Sequence, residues 1–178
     1  AFKLTIWQNV TKGIKFTSPG SFYSIEDSTF ENGSVAVYTE QGELDIKRCT
    51  FTGFTDTAVI STGGVVNGGL AQFTDCVFRN NSIGVHNAKS VSNCEFTEHS
   101  DTACSNCADV SNSLLKNNKI AISSPLGTIT RNLIINNRFG VSGVYAVANI
   151  SGNSICGDSE WGLWGINTVS QTAARNFW

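Results

Sequence analysis

The hydrophobic and polar residues of this chain follow a unit of about twenty residues that recurs along its whole length. Each unit can be aligned on one small or semi-polar residue, which we call the reference position. The spacing between reference positions varies, which fits loops of different length attached to a constant wall. The reference positions are Thr5, Ser28, Cys49, Cys76, Cys94, Ser113, Asn132 and Ser154.

Apolar residues recur at three fixed offsets from the reference position. Three residues before it lies an aliphatic or aromatic residue: Ile25, Ile46, Phe73, Val91, Val110 and Ile129. Two residues after it come Trp7, Phe30, Phe51, Phe78, Phe96, Leu115, Ile134 and Cys156. The third set follows a glycine or alanine: Ile14, Val37, Val59, Val85, Cys104, Ile122, Val141 and Leu163. Because side chains alternate between the two sides of a strand, this pattern predicts about three short strands per unit, each with an inward-facing residue.

Two further positions mark the bends between these strands. Asparagine is preferred four residues after the reference position, where it can adopt a left-handed conformation and its amide can bond to the coils above and below. These residues are Asn9, Asn32, Asn80, Asn117 and Asn136, with Gly53, Glu98 and Asp158 as exceptions. The glycine or alanine before the third apolar set marks a second bend, where a Cβ is crowded or φ is positive.

Equivalent residues in successive units would therefore stack on one another. We predict an all-β fold, a right-handed parallel β-helix (solenoid) of about eight coils about 4.8 Å apart, forming a single domain over residues 1–178. No amphipathic capping helix is visible at either end of the sequence. Because open solenoid ends expose strand edges, we expect a segment of a longer chain or assembly, with self-association or a flanking chain at the ends.

The composition limits the classes of function that the chain can have. The net charge is −2, which gives no basic surface for nucleic acid. No apolar run approaches about 18 residues, so we expect no membrane insertion. The chain contains six cysteines and four Asn-x-Ser/Thr sequons, which favour an extracellular or cell-surface location and a glycoprotein. The glycosylation candidates are Asn9, Asn32, Asn80 and Asn149, although a β-helix rich in Asn, Ser and Thr also generates sequons by chance.

The cysteines allow more than one interpretation. Cys49, Cys76 and Cys94 share the reference position in successive units, so two of them could form a disulfide or all three could stay reduced. Cys104 and Cys107 have a Cys-x-x-Cys spacing, which fits a redox pair, a local disulfide, or one core cysteine beside an exposed turn. We keep all five as disulfide candidates. No second pair completes a zinc site, so we expect no metal and no cofactor.

The segments FRNNSIGV, LKNNKIAI and INNRFGV resemble the parallel β-helix repeat of pectate-lyase-like proteins. The stretch from Gly63 to Asn81 also resembles repeats of polymorphic outer-membrane adhesins, which pair a Gly-Gly-aliphatic turn with Phe-x-x-Asn. The first resemblance covers nearly the whole chain, the second mainly one coil. Such walls occur in polysaccharide lyases, hydrolases, epimerases, tailspikes and adhesins, so the resemblance implies the fold without deciding the function.

Catalytic residues are not evident. The Asn-Thr-Asp, Asp-Asp and Gly-His-Gly motifs of pectin hydrolases are absent, and His86 and His99 have no matched partners. Asp56 and Asp101 share an offset two coils apart, a separation of about 9.6 Å by strand spacing, which would suit an inverting carboxylate pair. Asp27, Arg48 and Asp75 share another offset and predict a surface salt bridge. We assign no catalytic residue.

Aromatic residues provide the strongest indication of a binding site. Tyr145, Trp161 and Trp164 lie near the C-terminal end, where they would form a glycan-binding site or pack against a further coil or partner. Because the repeats are clear and the catalytic motifs are absent, we predict a non-catalytic extracellular wall of a surface, adhesin or filament protein that acts in assembly or adhesion. The alternatives are a polysaccharide-active β-helix enzyme (lyase, hydrolase or epimerase) and a glycan-binding module, with polysaccharide as a candidate partner.

Overall fold

A computed structural model describes residues 2–3, 6–63, 70–143, 148–165 and 176–177. These residues form a parallel β-solenoid of about seven turns, and every strand pair is parallel. The predicted all-β solenoid fold is confirmed, whereas its right hand and its count of about eight coils stay predictions. Within the described ranges the chain contains no helix long and apolar enough to cross a membrane.

The first face of the solenoid is an 8-stranded sheet, to which the chain adds one strand each time it returns to this face. Its inward residues are those three positions before the reference position, from Ile25 to Ile129 and on to Ile150. Its strands are β1 (Phe2–Lys3), β3 (Phe22–Glu26), β5 (Glu43–Lys47), β8 (Ala71–Thr74), β11 (Ala88–Ser92), β14 (Asp109–Ser111), β17 (Thr128–Thr130) and β20 (Asn149–Ser151).

The second and third faces join into one 14-stranded sheet, because β2 (Ile6–Phe16) and β4 (Thr29–Thr39) run through both faces. The remaining strands of the second face are β6 (Thr50–Phe54), β9 (Val77–Arg79), β12 (Glu95–Thr97), β15 (Leu114–Lys116), β18 (Leu133–Ile135) and β21 (Ser154–Cys156). Those of the third face are β7 (Thr57–Ser61), β10 (Ile83–His86), β13 (Thr102–Ser105), β16 (Ile120–Ser123), β19 (Phe139–Ser142) and β22 (Trp161–Trp164).

A column of phenylalanine rings fills the interior behind the second face. Ring centroids lie 4.8 Å apart between Phe30 and Phe51, 4.9 Å between Phe51 and Phe78, and 4.6 Å between Phe78 and Phe96. The rings are nearly parallel, and all four side chains are fully buried. The column continues with Leu115 and Ile134, as the repeat predicts. Stacking at strand spacing therefore forms the core.

The bends are made by residues in the left-handed region. At the predicted asparagine bend, φ is 55° at Asn32, 53° at Asn80 and 57° at Asn117. At the glycine or alanine position, the small side chain is explained by crowding and not by a positive φ. A Cβ added at Gly84 would lie 2.5 Å from the Ala103 carbonyl oxygen. Backbone approach between coils therefore explains the small residue there.

The alignment of the last unit is wrong by one residue. Ile155 pairs with Ile134 and is buried, whereas Cys156 pairs with Ile135 and is exposed. The reference position of this coil is therefore Asn153, not Ser154, and Asp158 moves out of the bend position, which Gly157 occupies with a φ of 69°. Ser154 matches the serines at the reference position of other coils, Ser28 and Ser113, which favoured the wrong alignment. The buried Asn132 of the preceding coil is the correct equivalent of Asn153.

Two ladders of buried amides run along the C-terminal half of the interior. At the reference position, the backbone N–H of Asn132 donates to Asn153 Oδ1 at 2.9 Å, and that of Asn153 donates to Asn176 Oδ1 at 3.0 Å. In the position after the asparagine bend, the N–H of Asn118 donates to Asn137 Oδ1 at 2.9 Å. In this second ladder, the amides that link coils therefore lie one residue after the exposed bend asparagines, which were themselves predicted to bond to the coils above and below.

Candidate ligand-binding face

The outer surface of the third face carries a continuous column of side chains in register. Each follows the inward apolar residue of its coil, and all but the buried Ser142 are exposed or half-exposed. The column is Lys15, Tyr38, Ile60, His86, Ser105, Ser123, Ser142 and Trp164. The middle of the column is polar, whereas aromatic and aliphatic side chains lie only near its two ends (Tyr38 and Ile60, and Trp164), so the two ends are the candidate ligand sites.

At the C-terminal end, three aromatic side chains form what we call the aromatic cluster: Phe139, Trp161 and Trp164. Trp161 and Trp164 lie on one strand and are 55% and 53% exposed. Trp161 is in register with Phe139 on the neighbouring strand, and the Phe139 and Trp164 ring centroids lie 5.9 Å apart. Half-exposed rings on a hydrogen-bonded sheet offer a rigid apolar surface with an indole N–H at its edge.

A charged pair borders the aromatic cluster. Arg138 forms a salt bridge with Glu160, and its guanidinium carbon lies 5.2 Å from the centroid of the Phe139 ring. The ion pair and the cation–π contact together hold the arginine at the edge of the cluster. The cluster therefore combines apolar ring faces with donors and acceptors at its border.

Of the three predicted glycan-binding residues, the structure brings Trp161 and Trp164 onto one surface, and Tyr145 lies outside the described residues. Phe139 and Arg138 lie at the same surface but were not among the predicted glycan-binding residues. The available signal was the register of the repeat, because Phe139 precedes the buried Val141 by the same two residues that separate Trp161 from Leu163.

At the N-terminal end, the third face has a groove of about 340 Å³. Lys15 Nζ forms a salt bridge of 2.8 Å with Glu40 and lies 5.5 Å from the Tyr38 ring centroid. The hydrogen bond from Lys15 to Glu40 raises the lysine pKa, so this side chain stays cationic. Ile60 and Asp56 also line the groove. A mainly apolar concavity with a few fixed charges is typical of a small-ligand site.

The predicted surface salt bridge is present between two members of its column. Arg48 Nε donates to Asp27 Oδ1 at 2.6 Å, and a terminal guanidinium nitrogen of Arg48 donates to Glu26 at 3.0 Å. The predicted carboxylate pair shares a column, with Ser82 in the layer between Asp56 and Asp101. Lys119 is 3.2 Å from Asp101, so that carboxylate is engaged in an ion pair.

The contacts of the two histidines are typical of residues with a structural role. His99 is buried in the column of the second amide ladder, where its backbone N–H donates to Asn118 Oδ1 at 3.0 Å and its Nδ1 lies 2.9 Å from the Thr97 carbonyl oxygen. Burial lowers the pKa of His99 to about 4, so the ring is neutral at physiological pH. His86 lies on the outer column, 3.2 Å from Ser105 Oγ.

The sequon asparagines are all exposed. Asn9, Asn32 and Asn80 lie at the left-handed bend between the second and third faces, and Asn149 lies on the first face. Their side chains are therefore accessible, and their glycosylation stays a prediction.

The cysteines divide into buried and exposed positions. Cys49, Cys76, Cys94, Cys104 and Cys107 are buried, and Cys156 is exposed. The expectation that one member of the Cys-x-x-Cys pair lies on an exposed turn is wrong, because Cys104 and Cys107 both have no exposed surface. Among the described residues, no group of three or more His, Cys, Asp or Glu side chains could hold a metal ion.

Fold and site together define the chain as a parallel β-solenoid with an outward-facing aromatic cluster. Neither a protein-family model, nor a curated protein, nor a solved structure matches it.

Proposed function

We propose that this chain is a non-catalytic extracellular β-solenoid wall that binds glycans through the aromatic cluster and so acts in adhesion or assembly. The observation that carries the proposal is the half exposure of Trp161 and Trp164 on one strand beside Phe139. Pyranose rings present C–H groups on one face and hydroxyls at the edge. Those C–H groups stack on indole faces, while Arg138 and Glu160 are placed to bond the hydroxyls.

The surroundings of the titratable residues support a non-catalytic role. Arg48 and Asp101 are engaged in salt bridges, and His99 is a neutral interior residue. The resemblance of the coils to pectate-lyase-like and adhesin repeats is compatible with a wall whose outer residues have been adapted to binding.

The test measures glycan binding by the intact chain and by two variants. A glycan array first identifies ligands, and calorimetry then gives affinities. Trp161→Ala and Trp164→Ala should each weaken binding by roughly fivefold or more, because a ring stack contributes about 1 kcal/mol or more. Phe22→Ala is the matched control, since Phe22 is a 75% exposed aromatic residue on the first face. Equal loss in all three variants, or no glycan binding, would contradict the proposal.

A polysaccharide-active enzyme is the second candidate, and the N-terminal groove favours it. Lys15, Tyr38 and Asp56 combine a cation, an aromatic ring and an exposed carboxylate in one concavity. Release of reducing ends, or a calcium-dependent rise in absorbance on uronate polymers, would support this candidate if Asp56→Asn abolished it. Binding without turnover would instead support the non-catalytic wall.

A further inference from the structure

Three thiols occupy the same interior column in successive coils. Cys49, Cys76 and Cys94 stand at the reference position and are 1%, 1% and 3% exposed. Backbone hydrogen bonds link the successive coils at this position. The N–H of Val77 donates to the Cys49 carbonyl, and the N–H of Glu95 donates to the Cys76 carbonyl, both at 2.9 Å. Adjacent members are thus one strand spacing apart, about 4.8 Å, within the Cα separations that disulfides span.

The middle thiol contacts both of its neighbours. The Cys76 N–H donates to Cys94 Sγ at 3.4 Å. The pKa of Cys49 is raised by its hydrogen bond with Cys76 and by burial, and the pKa of Cys94 is lowered by its hydrogen bond with Cys76. Cys49 and Cys94 are two coils apart, about 9.6 Å by strand spacing, which is beyond the reach of a disulfide.

We propose that Cys76 is the common half of an inter-coil disulfide, which it forms with either Cys49 or Cys94 and never with both. The column therefore holds one cross-link and one remaining thiol. That thiol can attack the cross-link and exchange places with its far neighbour, without any net oxidation.

Formation of the cross-link needs a disulfide oxidant such as oxidised glutathione. The thiolate of Cys76 attacks the glutathione disulfide, forms a mixed disulfide and releases one glutathione thiolate. The neighbouring cysteine thiolate then attacks the Cys76 sulfur and releases the second glutathione. The two protons lost by the cysteines are taken up by the two glutathione thiolates, so two thiols are oxidised and one disulfide is reduced. Because the column is buried, the reaction takes place during folding or local opening.

The test refolds the full chain in a glutathione redox buffer, alkylates free thiols under denaturing conditions and maps linked peptides by mass spectrometry. The wild type should contain Cys76 linked to Cys49 or Cys94. Cys49→Ser should shift the link entirely to Cys94, and Cys94→Ser should shift it entirely to Cys49. Serine is a conservative replacement, because Ser28 and Ser113 occupy the same column.

Cys76→Ser is the decisive variant. It should leave both Cys49 and Cys94 alkylated and should lose the higher melting temperature of the oxidised wild type over the reduced form. The proposal is overturned if the oxidised wild type keeps Cys76 free, or if Cys49 and Cys94 become linked in Cys76→Ser. Circular dichroism of the reduced proteins confirms that each variant retains its strands.

Discussion

The two halves of the solenoid fill the same wall with different chemistry. In the N-terminal half, the column behind the second face is a stack of phenylalanines from Phe30 to Phe96, and the reference column beside it holds thiols. In the C-terminal half, the same two columns hold aliphatic residues and buried amides such as Asn132 and Asn153. The strands of both halves pair in parallel register, so the wall does not depend on one type of side chain.

The difference shows what each column must supply. An apolar column needs volume and complementary shape, and phenylalanine, leucine and isoleucine all provide these. A polar group in a buried column needs a partner, because a buried unpaired donor or acceptor costs about 1–3 kcal/mol. Asn137 illustrates this, since its Oδ1 accepts from the Asn118 N–H and its Nδ2 donates to the Leu115 carbonyl oxygen at 3.1 Å.

Truncation within the phenylalanine stack should have the largest effect. Phe78 is fully buried and contacts the rings of Phe51 and Phe96, so Phe78→Ala should lower the free energy of unfolding by about 3–5 kcal/mol. Leu115→Ala, in the same column, should cost less because no ring stack is lost. Urea denaturation of both variants measures the difference, and an equal or greater cost at Leu115 would show that ring stacking adds nothing to the column.

Removal of one ladder amide should come next. Asn137→Leu keeps the volume but leaves the Asn118 N–H and the Leu115 carbonyl without partners, so we expect a loss of about 2–4 kcal/mol. Asn136→Gly is the matched control at the neighbouring exposed bend, because glycine adopts the same left-handed conformation as at Gly53 and Gly157. If Asn137→Leu were as stable as the control, the ladder would not contribute to stability.

Much of this comparison could be read from the sequence and part of it could not. The phenylalanine column was predictable because aromatic residues at a constant offset leave little choice of register. The second amide ladder was missed because Asn81, Asn118 and Asn137 each follow an exposed bend asparagine, and composition alone cannot tell the buried member of an Asn-Asn pair from the exposed one. The recurring Asn-Asn pair was the available signal.

The candidate site was predictable to a smaller extent. Trp161 and Trp164 were found as exposed aromatic residues, but their contact with Phe139 requires the exact alignment of a coil whose reference position was misplaced by one residue. The N-terminal groove depends on side chains from three coils, and its depth follows from their packing, which sequence offsets do not specify.

Acid should destabilise the protein through His99, the imidazole that interrupts the second ladder. The pKa of His99 is lowered by burial from 6.5 to about 4, so the imidazole takes up its proton at a lower pH in the folded state than in the unfolded state. The contribution to stability is therefore complete above pH 6.5 and falls as the pH drops towards 4, by about 3 kcal/mol. His99→Asn should remove this part of the pH dependence. Parallel stability curves for the two proteins over that range would contradict the assignment.

The smallest effect is expected at Asp158, which ends the second ladder. Its Oδ1 accepts from the Asn137 N–H at 2.8 Å, whereas its buried Oδ2 has no partner among the described residues. Burial raises the pKa of Asp158, so the folded state favours the protonated acid and stability is lost as the pH rises above 3.8 through the folded-state pKa.

Asp158→Asn should therefore stabilise the protein at neutral pH by about 1 kcal/mol, because its amide can donate to the Ile134 carbonyl as Asn137 does to that of Leu115. The gain should shrink in acid. Asp75→Asn is the control, since Asp75 is an exposed carboxylate at a left-handed bend where Asn93 and Asn112 stand in later coils. An equal gain in the control would point to net charge as the cause.

The most direct test of the stacked columns is a set of nuclear Overhauser contacts between phenylalanine rings in protein labelled only at phenylalanine, with assignments from single Phe→Leu variants. The account predicts ring contacts between Phe30 and Phe51, Phe51 and Phe78, and Phe78 and Phe96, at the centroid separations of 4.8, 4.9 and 4.6 Å. It predicts none between Phe30 and Phe96. Missing contacts between adjacent coils, or contacts that skip coils, would contradict the stacked wall.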